Sequence, residues 1–268
     1  MRATTMRGAD LDVERIGEGP PILFVHGDVV GAAVTWRKQH PLAERWRLIL
    51  PNRPGFGGSP PLERGDFEVE APMFAELLGD GAHLVGHSYG AVIALLAAAE
   101  RPEAVRSLTV SEPGALRLAA GTPVVDTMIA NGKRLYADPG AIPTETFLRL
   151  FRTGAGSSQA TPDELSEELA QGVELLKAER PPWEADVPLE RLASAGFPAL
   201  VISGDHSPAF EAVCDSLATS LSAERAVIPG RGHTIPATEA PYNERLEVFL
   251  TAAEAPLARR RSSTPRLS

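Results

Sequence analysis

The chain has 268 residues, a formal net charge of −9 at pH 7, 43% hydrophobic residues and 23% charged residues. This composition is that of an ordinary globular protein, and the acidic balance gives no electrostatic reason to bind nucleic acid or an anionic membrane. The single cysteine excludes an internal disulfide framework and a four-cysteine zinc site.

The sequence predicts neither a secretory signal nor a membrane anchor. Charged residues at positions 10, 12, 14 and 15 come before any apolar signal core, and the longest apolar run, 91–99, is about half of a membrane span. We therefore expect a cytoplasmic protein. Residues 255–268 carry four arginines among Ser, Thr and Pro, which predicts a solvated, disordered tail; the alternative is a basic segment that binds nucleic acid.

Six short apolar runs, each ending close to a Gly or Pro, predict strands that are buried on both faces of a parallel sheet. In chain order they are 22–25, 47–50, 82–85, 105–110, 198–202 and 224–228. Helix-like stretches at 90–99, 210–221 and 243–254 lie among them. This alternation predicts an α/β fold with a mostly parallel sheet flanked by helices.

The stretch between the fourth and fifth of these strands breaks the alternation. It contains three helical patterns, 123–136, 144–151 and 162–180, the last opening with the helix-start signal Thr161-Pro162-Asp163-Glu164. We predict a small helical cap at 114–188, inserted into a core formed by 1–113 and 189–254, because two neighbouring strands would otherwise be joined by an unusually long connection. The alternative is that these helices belong to the sheet's own helical layer.

The strongest local motif is Gly86-His87-Ser88-Tyr89-Gly90, which follows a predicted strand and opens a predicted helix. A G-x-S-x-G sequence in this context is typical of a sharp turn that exposes a nucleophilic serine at the edge of a sheet. The two glycines remove side chains that would collide with neighbouring elements, and the backbone N–H of Tyr89 points to where an oxyanion would form. The alternative is that Ser88 is only the N-cap of the helix.

A serine hydroxyl needs a base to act as a nucleophile, and six histidines are available. His233 is the best candidate, because it lies in a Gly-flanked loop, 229–236, between the last predicted strand and the last predicted helix. Such a loop can place an imidazole over Ser88. His83 and His87 are four residues apart, but on a strand and turn this spacing does not form a zinc site.

Together these motifs resemble the α/β-hydrolase superfamily, in its capped, serine-nucleophile, esterase-like branch. The matching residues are His26-Gly27 after the first strand, residues 52–59 after the second, the motif at 86–90, and Gly232-His233 with Pro236 and Pro241. The resemblance covers residues 10–112 and 190–252. It implies Ser88 as nucleophile, His233 as general base and later acid, and the backbone N–H groups of Asp28 and Tyr89 as the oxyanion hole. It also implies a structural role for His26, and neither a metal nor an organic cofactor.

The acid that would orient His233 is open between two carboxylates. In the family it commonly follows a strand as Gly-x-x-Asp, but Ser207 holds that position here, and Asp205 is only one residue past Gly204. Glu112 follows strand 105–110, which lies beside the nucleophile strand. Some family members carry the acid at this place, and this chain resembles them. We favour Glu112, whose side chain can reach His233 and fix its tautomer. The alternatives are that Glu112 caps the entrance to the inserted helices and that Asp205 makes an Asx turn.

Three further polar residues lie beside these motifs. We expect the Asp28 carboxylate to turn outward and hydrogen-bond its own loop; if it faced the substrate, it would oppose the developing negative charge. Asn52 stands where the family often has Asp, and both can brace the loop. We interpret Arg53 as a brace rather than as a substrate clamp.

The predicted function is that of a serine hydrolase acting on an ester, thioester or lactone of a small to medium apolar molecule through an acyl-enzyme. The expected partner is this small molecule, with no nucleic acid or membrane. Alternatives are a carbon–carbon bond hydrolase, a non-hydrolytic enzyme (lyase, cyclase or cofactor-free peroxidase-like), and a ligand-binding protein that kept the pocket. Some of the apolar side chains in the predicted cap should line that pocket: Met128, Ile129, Leu135, Tyr136, Phe147, Leu148, Leu150, Phe151, Leu175, Leu176 and Trp183.

Overall fold

The computed structural model describes residues 7–157 and 159–262, with side chains described as far as Ala255. Its strands are β1 (Val13–Ile16), β2 (Pro21–Val25), β3 (Arg47–Pro51), β4 (Ala82–His87), β5 (Val105–Ser111), β6 (Ala199–Ser203) and β7 (Glu224–Val227). Within the described residues they form one sheet in the order β1-β3-β2-β4-β5-β6-β7, in which β1 is antiparallel and the other neighbours pair in parallel. The predicted α/β fold with a mostly parallel sheet is confirmed.

Helices connect the strands and cover the sheet. They are α1 (Ala32–Thr35), α2 (Phe67–Leu77), α3 (Tyr89–Glu100), α4 (Pro123–Leu135), α5 (Thr144–Gly154), α6 (Glu167–Ala178), α7 (Leu189–Ser194), α8 (Pro208–Leu221) and α9 (Ala240–Ser262). Short 3-10 helices span Gly8–Asp10, Arg37–Glu44, Pro102–Ala104, Leu116–Ala119, Pro139–Ala141, Pro182–Glu184 and Ile235–Thr238. Helices α2, α3 and α7 bury apolar side chains against one face of the sheet, and α1 and α9 bury theirs against the other. No helix among the described residues is long and apolar enough to cross a membrane.

Strand β1 and helix α2 are among the elements that were not predicted from the sequence. Strand β1 reads Val-Glu-Arg-Ile and lies half-exposed at the edge of the sheet, so it lacks the apolar run that marks the buried strands. Helix α2 contains Pro72, which interrupts the backbone hydrogen bonding expected of a helix interior. It forms nevertheless, because Asp66 caps its start and its apolar side packs into the core beside α3.

The structure corrects the sequence predictions at two helix ends. Helix α6 begins at Glu167, with the Ser166 hydroxyl accepting a hydrogen bond from the Leu169 N–H, so the start signal read at 161–164 was wrong. Helix α9 continues to Ser262, so residues 255–262 are helical rather than a disordered tail. The Ala, Leu and Arg residues there have high intrinsic helix propensity. Residues 263–268 lie outside the described residues.

Residues 114–188, called here the helical segment, connect β5 to β6, which are neighbours in the sheet. The described part of this segment contributes no strand to the sheet. Helices α5 and α6 share a small apolar cluster that includes Phe147, Leu148, Val173 and Leu176. Helix α4 packs against α8 through a second cluster. The segment therefore has a small core of its own and also lies on the carboxyl edge of the sheet, where the loops that follow β4, β5 and β7 meet.

Candidate active site

Ser88 lies on a tight turn between β4 and α3. Its backbone is in the left-handed region, with φ 56° and ψ −121°, a strained conformation that the surrounding structure must enforce. A Cβ on Gly86 would lie 2.7 Å from the Ala91 Cα, and a Cβ on Gly90 would lie 2.3 Å from the His26 carbonyl oxygen. Only glycine fits at these two positions, and the turn can therefore bring Ser88 to the sheet edge.

Ser88, His233 and Glu112 form one hydrogen-bonded chain. His233 Nε2 lies 2.8 Å from Ser88 Oγ, and His233 Nδ1 lies 2.6 Å from Glu112 Oε2. With the carboxylate accepting from Nδ1–H, the neutral ring presents an unprotonated Nε2 to the serine hydroxyl. This is the geometry in which a histidine can remove a proton from serine.

His233 is held from three sides. The Phe210 ring stacks on it with centroids 4.6 Å apart. His87 Nε2 lies 2.7 Å from the His233 carbonyl oxygen, so the His87 N–H holds the loop backbone. Burial, with the nearby His233 ring, lowers the pKa of His87 to about 4, which leaves that ring neutral at pH 7. A backbone bridge between Ser157 and Gly232 ties the same loop to the helical segment.

Glu112, and not Asp205, lies beside His233. Glu112 is fully buried just after β5, in left-handed backbone with φ 41°, and its Oε1 accepts a 2.8 Å hydrogen bond from the Gly204 N–H. Burial alone would raise the pKa of Glu112, but hydrogen bonds and charge from His206 and His233 lower it to about 2. Asp205 is exposed, and its backbone N–H donates to Glu211 on α8.

Two backbone N–H groups are available beside Ser88. Within the described residues, neither the Asp28 N–H nor the Tyr89 N–H donates a hydrogen bond. Tyr89 is the first residue of α3, and a Cβ on Gly27 would lie 3.0 Å from the Ser88 Cβ, so the Gly27-Asp28 loop closely approaches the serine. Free donors at the positive end of a helix can bind a developing oxyanion.

The Asp28 side chain differs from both expectations, because it binds the buried guanidinium of Arg53. Arg53 Nη1 lies 2.9 Å from Asp28 Oδ1 and 3.0 Å from the Gly27 carbonyl oxygen. The guanidinium also binds both oxygens of Glu70 on α2, at 2.8 and 3.0 Å, and Glu179 of the helical segment at 3.1 Å. Arg53 is thus the brace predicted from the sequence, and it joins the loop, the core and the helical segment.

The partners Glu70 and Glu179 were not predicted, since no short-range pattern links positions 53, 70 and 179. Together with Asp28 they place three carboxylates around one guanidinium, which lies 4.1 Å above the Tyr89 ring. Burial, followed by the charge of Asp28, raises the pKa of Glu179 well above its usual range. We infer that Glu179 retains a proton and so reduces the negative charge of the group.

Replacing Arg53 with methionine should strongly destabilise the fold, because it leaves buried carboxylates without their cation. Breaking a buried ion pair in this way costs about 3–5 kcal/mol in free energy of unfolding. Urea unfolding at pH 7 measures the loss. Arg45→Met is the matched control, since the Arg45–Glu247 pair is largely exposed and such pairs contribute about 0–1 kcal/mol. Equal losses in the two variants would contradict the bracing role.

Other polar residues near the motifs have structural partners. His26 Nε2 accepts from the Arg53 N–H at 2.8 Å, and burial lowers the pKa of His26 to about 3. Asn52 accepts from the Ala32 N–H and donates to Asp12. His83 is buried with its Nδ1 2.7 Å from Ser107 Oγ.

Two cavities meet at Ser88. The larger, about 660 Å³, is lined by Asp28, Ser88 and His233 and by mostly apolar side chains of the helical segment. The smaller, about 130 Å³, shares those three residues and is bounded by the loops around Val30 and Thr234. Of the apolar residues singled out from the sequence, those that line the larger cavity are Met128, Leu135, Tyr136, Leu150, Phe151 and Trp183. Phe147 instead lies fully buried in the cluster between α5 and α6.

One cluster among the described residues has the ligand types of a metal site. Ligand atoms of Glu112, His206 and His233 lie within 4.8 Å of one another. Both carboxylate oxygens already contact imidazole nitrogens, and Oε1 also accepts from the Gly204 N–H. We therefore interpret the cluster as a hydrogen-bonded network.

Comparison with known families agrees with this fold. The model of the alpha/beta hydrolase family matches residues 22–247, which is most of the chain. The chain belongs to the α/β hydrolase family. The matched region includes the turn at Ser88, the loop of His233 and the whole helical segment between them.

Individual α/β hydrolase relatives match over shorter stretches. Pimeloyl-acyl-carrier-protein methyl ester esterase of Aeromonas hydrophila is 39% identical over 103 residues, covering 37% of this chain and 39% of that enzyme. The chain thus spans about two fifths of the length of this esterase relative. Lipase LipV of Mycobacterium tuberculosis is 32% identical over 186 residues, covering 67% of this chain and 68% of the relative.

A solved structure of an alpha/beta hydrolase from Sphaerobacter thermophilus superposes with a TM-score of 0.63. It is 24% identical and covers 89% of this chain and 98% of that chain. At this identity the similarity supports the α/β hydrolase fold alone. The roles of individual residues in this chain therefore have to be argued from its own geometry.

Proposed function

We propose that this α/β hydrolase cleaves an ester, thioester or lactone of a small to medium apolar molecule through an acyl-enzyme on Ser88. The observation that carries the proposal is the hydrogen-bonded chain from Ser88 Oγ through the His233 ring to Glu112. The esterase and lipase relatives support the same type of chemistry.

In the first half-reaction, His233 Nε2 takes the proton of Ser88 as Oγ attacks the carbonyl carbon. Glu112 stabilises the imidazolium that forms, and the N–H groups of Asp28 and Tyr89 bind the oxyanion. His233 then gives the proton to the leaving oxygen or sulfur. In the second half-reaction His233 takes a proton from water as the water oxygen attacks the acyl carbon, and it gives that proton to Ser88 Oγ as the bond between Oγ and the acyl carbon breaks. Every step uses side chains and backbone groups of this chain.

The helical segment 114–188 acts as a cap in this proposal. It supplies most of the apolar lining of the larger cavity, so it would hold the apolar part of the substrate next to Ser88. The smaller cavity at the same serine suits a group of a few atoms. Arg53 binds Glu179 of the cap and Asp28 of the Gly27-Asp28 loop, so it would fix the position of the cap relative to this loop.

The test is turnover of a series of p-nitrophenyl esters, combined with labelling by a fluorophosphonate probe. We expect ester hydrolysis and a single covalent adduct by intact mass spectrometry, because a serine next to an unprotonated imidazole is nucleophilic. Peptide mapping should locate the adduct at Ser88. Folded protein that neither turns over any ester nor forms an adduct would favour the non-hydrolytic or ligand-binding alternatives.

Substrate choice should respond to cavity-lining residues and not to the core of the cap. Trp183 lines the larger cavity, so Trp183→Leu should change the relative kcat/KM between short and long p-nitrophenyl esters by about tenfold. Phe147→Leu is the matched control: it should lower the free energy of unfolding by about 1–3 kcal/mol and leave the ester preference in place. A changed preference in the Phe147 variant alone would contradict the assignment of the lining.

A further inference from the structure

His206 is a second imidazole on the carboxylate of Glu112. Its Nδ1 lies 3.2 Å from Glu112 Oε1, an ion-pair contact without the alignment of a hydrogen bond, whereas His233 Nδ1 is hydrogen-bonded to the other oxygen, Oε2. Its Nε2 lies 3.0 Å from the carbonyl oxygen of Ala155 in the helical segment. Gly156 packs directly on the ring, since a Cβ there would lie 2.5 Å from His206 Cδ2. The ring is therefore held between the candidate catalytic carboxylate and the cap.

The two partners of His206 determine its charge state. The Ala155 carbonyl accepts a hydrogen bond from Nε2–H, and the Glu112 carboxylate lies at ion-pair distance from Nδ1, so the two contacts together favour the imidazolium form. Burial lowers the pKa of His206, but hydrogen bonding and charge from Glu112, with the Ala155 carbonyl and Glu211, raise it overall. Among the described residues, the ring of the other imidazole, His233, meets one acceptor, Glu112, because its Nε2 receives the Ser88 hydroxyl.

The charged and titratable groups around this pair come from several elements: Glu112 after β5, His233 and His206 in their loops, Glu211 on α8, and His87 at the end of β4. Glu211 is itself neutralised by Arg225 at 2.6 Å. His87 is a neutral donor to the His233 carbonyl. Glu112 therefore remains the anion that His206 and His233 share.

We propose that His206 is a positioning residue. Of the two imidazoles that contact Glu112, His206 is the positively charged one, and His233 therefore stays neutral and can act as the base. This inference rests on the proposed function, because it assigns His233 that role. With His206 positively charged, its ring centroid 6.1 Å from that of His233, protonation of His233 is disfavoured by like-charge repulsion. The base then stays active to lower pH than it would beside Glu112 alone.

The direction of the effect can be measured in the pH profile of kcat/KM. Removing the charge with His206→Gln should move the midpoint of the acidic limb upward by about 1 pH unit. At pH 6 the variant should therefore be several-fold slower than wild type, and at pH 9 the two should be nearly equal. A merely structural role would lower activity by the same factor at both pH values, and that result would overturn the proposal.

Two further variants sharpen this experiment. His206→Lys keeps a positive charge near Glu112 and should retain the low midpoint. His40→Gln makes the same chemical change at a histidine outside the candidate site and should leave the profile unmoved. Thermal unfolding of each variant over the same pH range shows whether the comparison is between folded proteins.

A measurement on the wild-type protein tests the charge itself and needs no ester turnover. In a ¹⁵N-histidine NMR titration, His206 should show two protonated ring nitrogens at pH 7, while His233 shows one. A neutral His206 at pH 7 would overturn the proposal even if the variants fail to fold. If His206 is charged but no ester is hydrolysed, it is the proposed function that has failed and not the charge assignment.

Discussion

Ser88→Ala is expected to lower kcat for ester hydrolysis by about 10⁶-fold, the size of loss that follows removal of the serine from a protease triad. The reason is that Ser88 Oγ is the atom that would form the covalent bond, and His233 is already aligned on it at 2.8 Å. The fold should be retained, since alanine fits the turn without adding atoms. Steady-state kinetics on one activated ester measure the effect.

Ser207→Ala is the matched control for this result. Ser207 also lines the larger cavity, but its hydroxyl has no hydrogen bond to His233 among the contacts of that ring. The Ser207 variant should still form a fluorophosphonate adduct, and the Ser88 variant should not. An adduct on the Ser88 variant, or turnover within tenfold of wild type, would rule out Ser88 as the nucleophile.

Glu112→Gln should lower kcat by about 10⁴-fold while the protein stays folded. The amide loses the negative charge that stabilises the His233 imidazolium, and its NH₂ group can face His233 Nδ1 and favour the wrong tautomer. Because the pKa of Glu112 is lowered to about 2, the wild-type carboxylate is ionised throughout the neutral range. The loss should therefore be present across the neutral pH range.

Asp205→Asn provides the comparison, because Asp205 is exposed and its backbone N–H, rather than its carboxylate, is bound to Glu211. We expect a mild effect on kcat. The reverse ranking of the two variants would return the role of the acid to Asp205. Two mild effects would mean that something other than a carboxylate orients His233, and would strengthen the non-hydrolytic alternatives.

The sequence predicted the buried part of the sheet well, because strands covered on both faces are continuous apolar runs. Edge strand β1 was not predicted because its two central residues are charged and exposed. Helix α2 was not predicted because its stability comes from packing beside α3 rather than from local propensity. The start of α6 depends on which cap forms in the folded chain, where Ser166 takes this position. Helix-start signals such as 161–164 are too frequent to decide this.

Within the candidate site, residues that belong to a local motif or follow a neighbouring strand could be predicted, and residues that depend on distant contacts could not. The turn at Ser88 is a local motif, and the carboxyl edge of a parallel sheet brings the residue after β5 close to it, which made Glu112 a candidate. His206 and Glu179 could not be found in this way. His206 lies 94 positions from Glu112 along the chain, and Glu179 lies 126 positions from Arg53. These contacts form only when the loop and the helical segment are folded.

The buried guanidinium of Arg53 limits how freely this protein can exchange parts with its relatives. Its fork holds three acidic side chains: Glu70 from α2, Asp28 from the loop after β2, and Glu179 from the helical segment. A chimera that transplants residues 114–188 from another family member would deliver a foreign residue to that fork. Unless the donor supplies an acceptor at the matching position, the graft leaves a buried N–H donor unsatisfied beside the Gly27-Asp28 loop. Exchange of residues 114–188 between family members should therefore succeed best with donors that have such an acceptor.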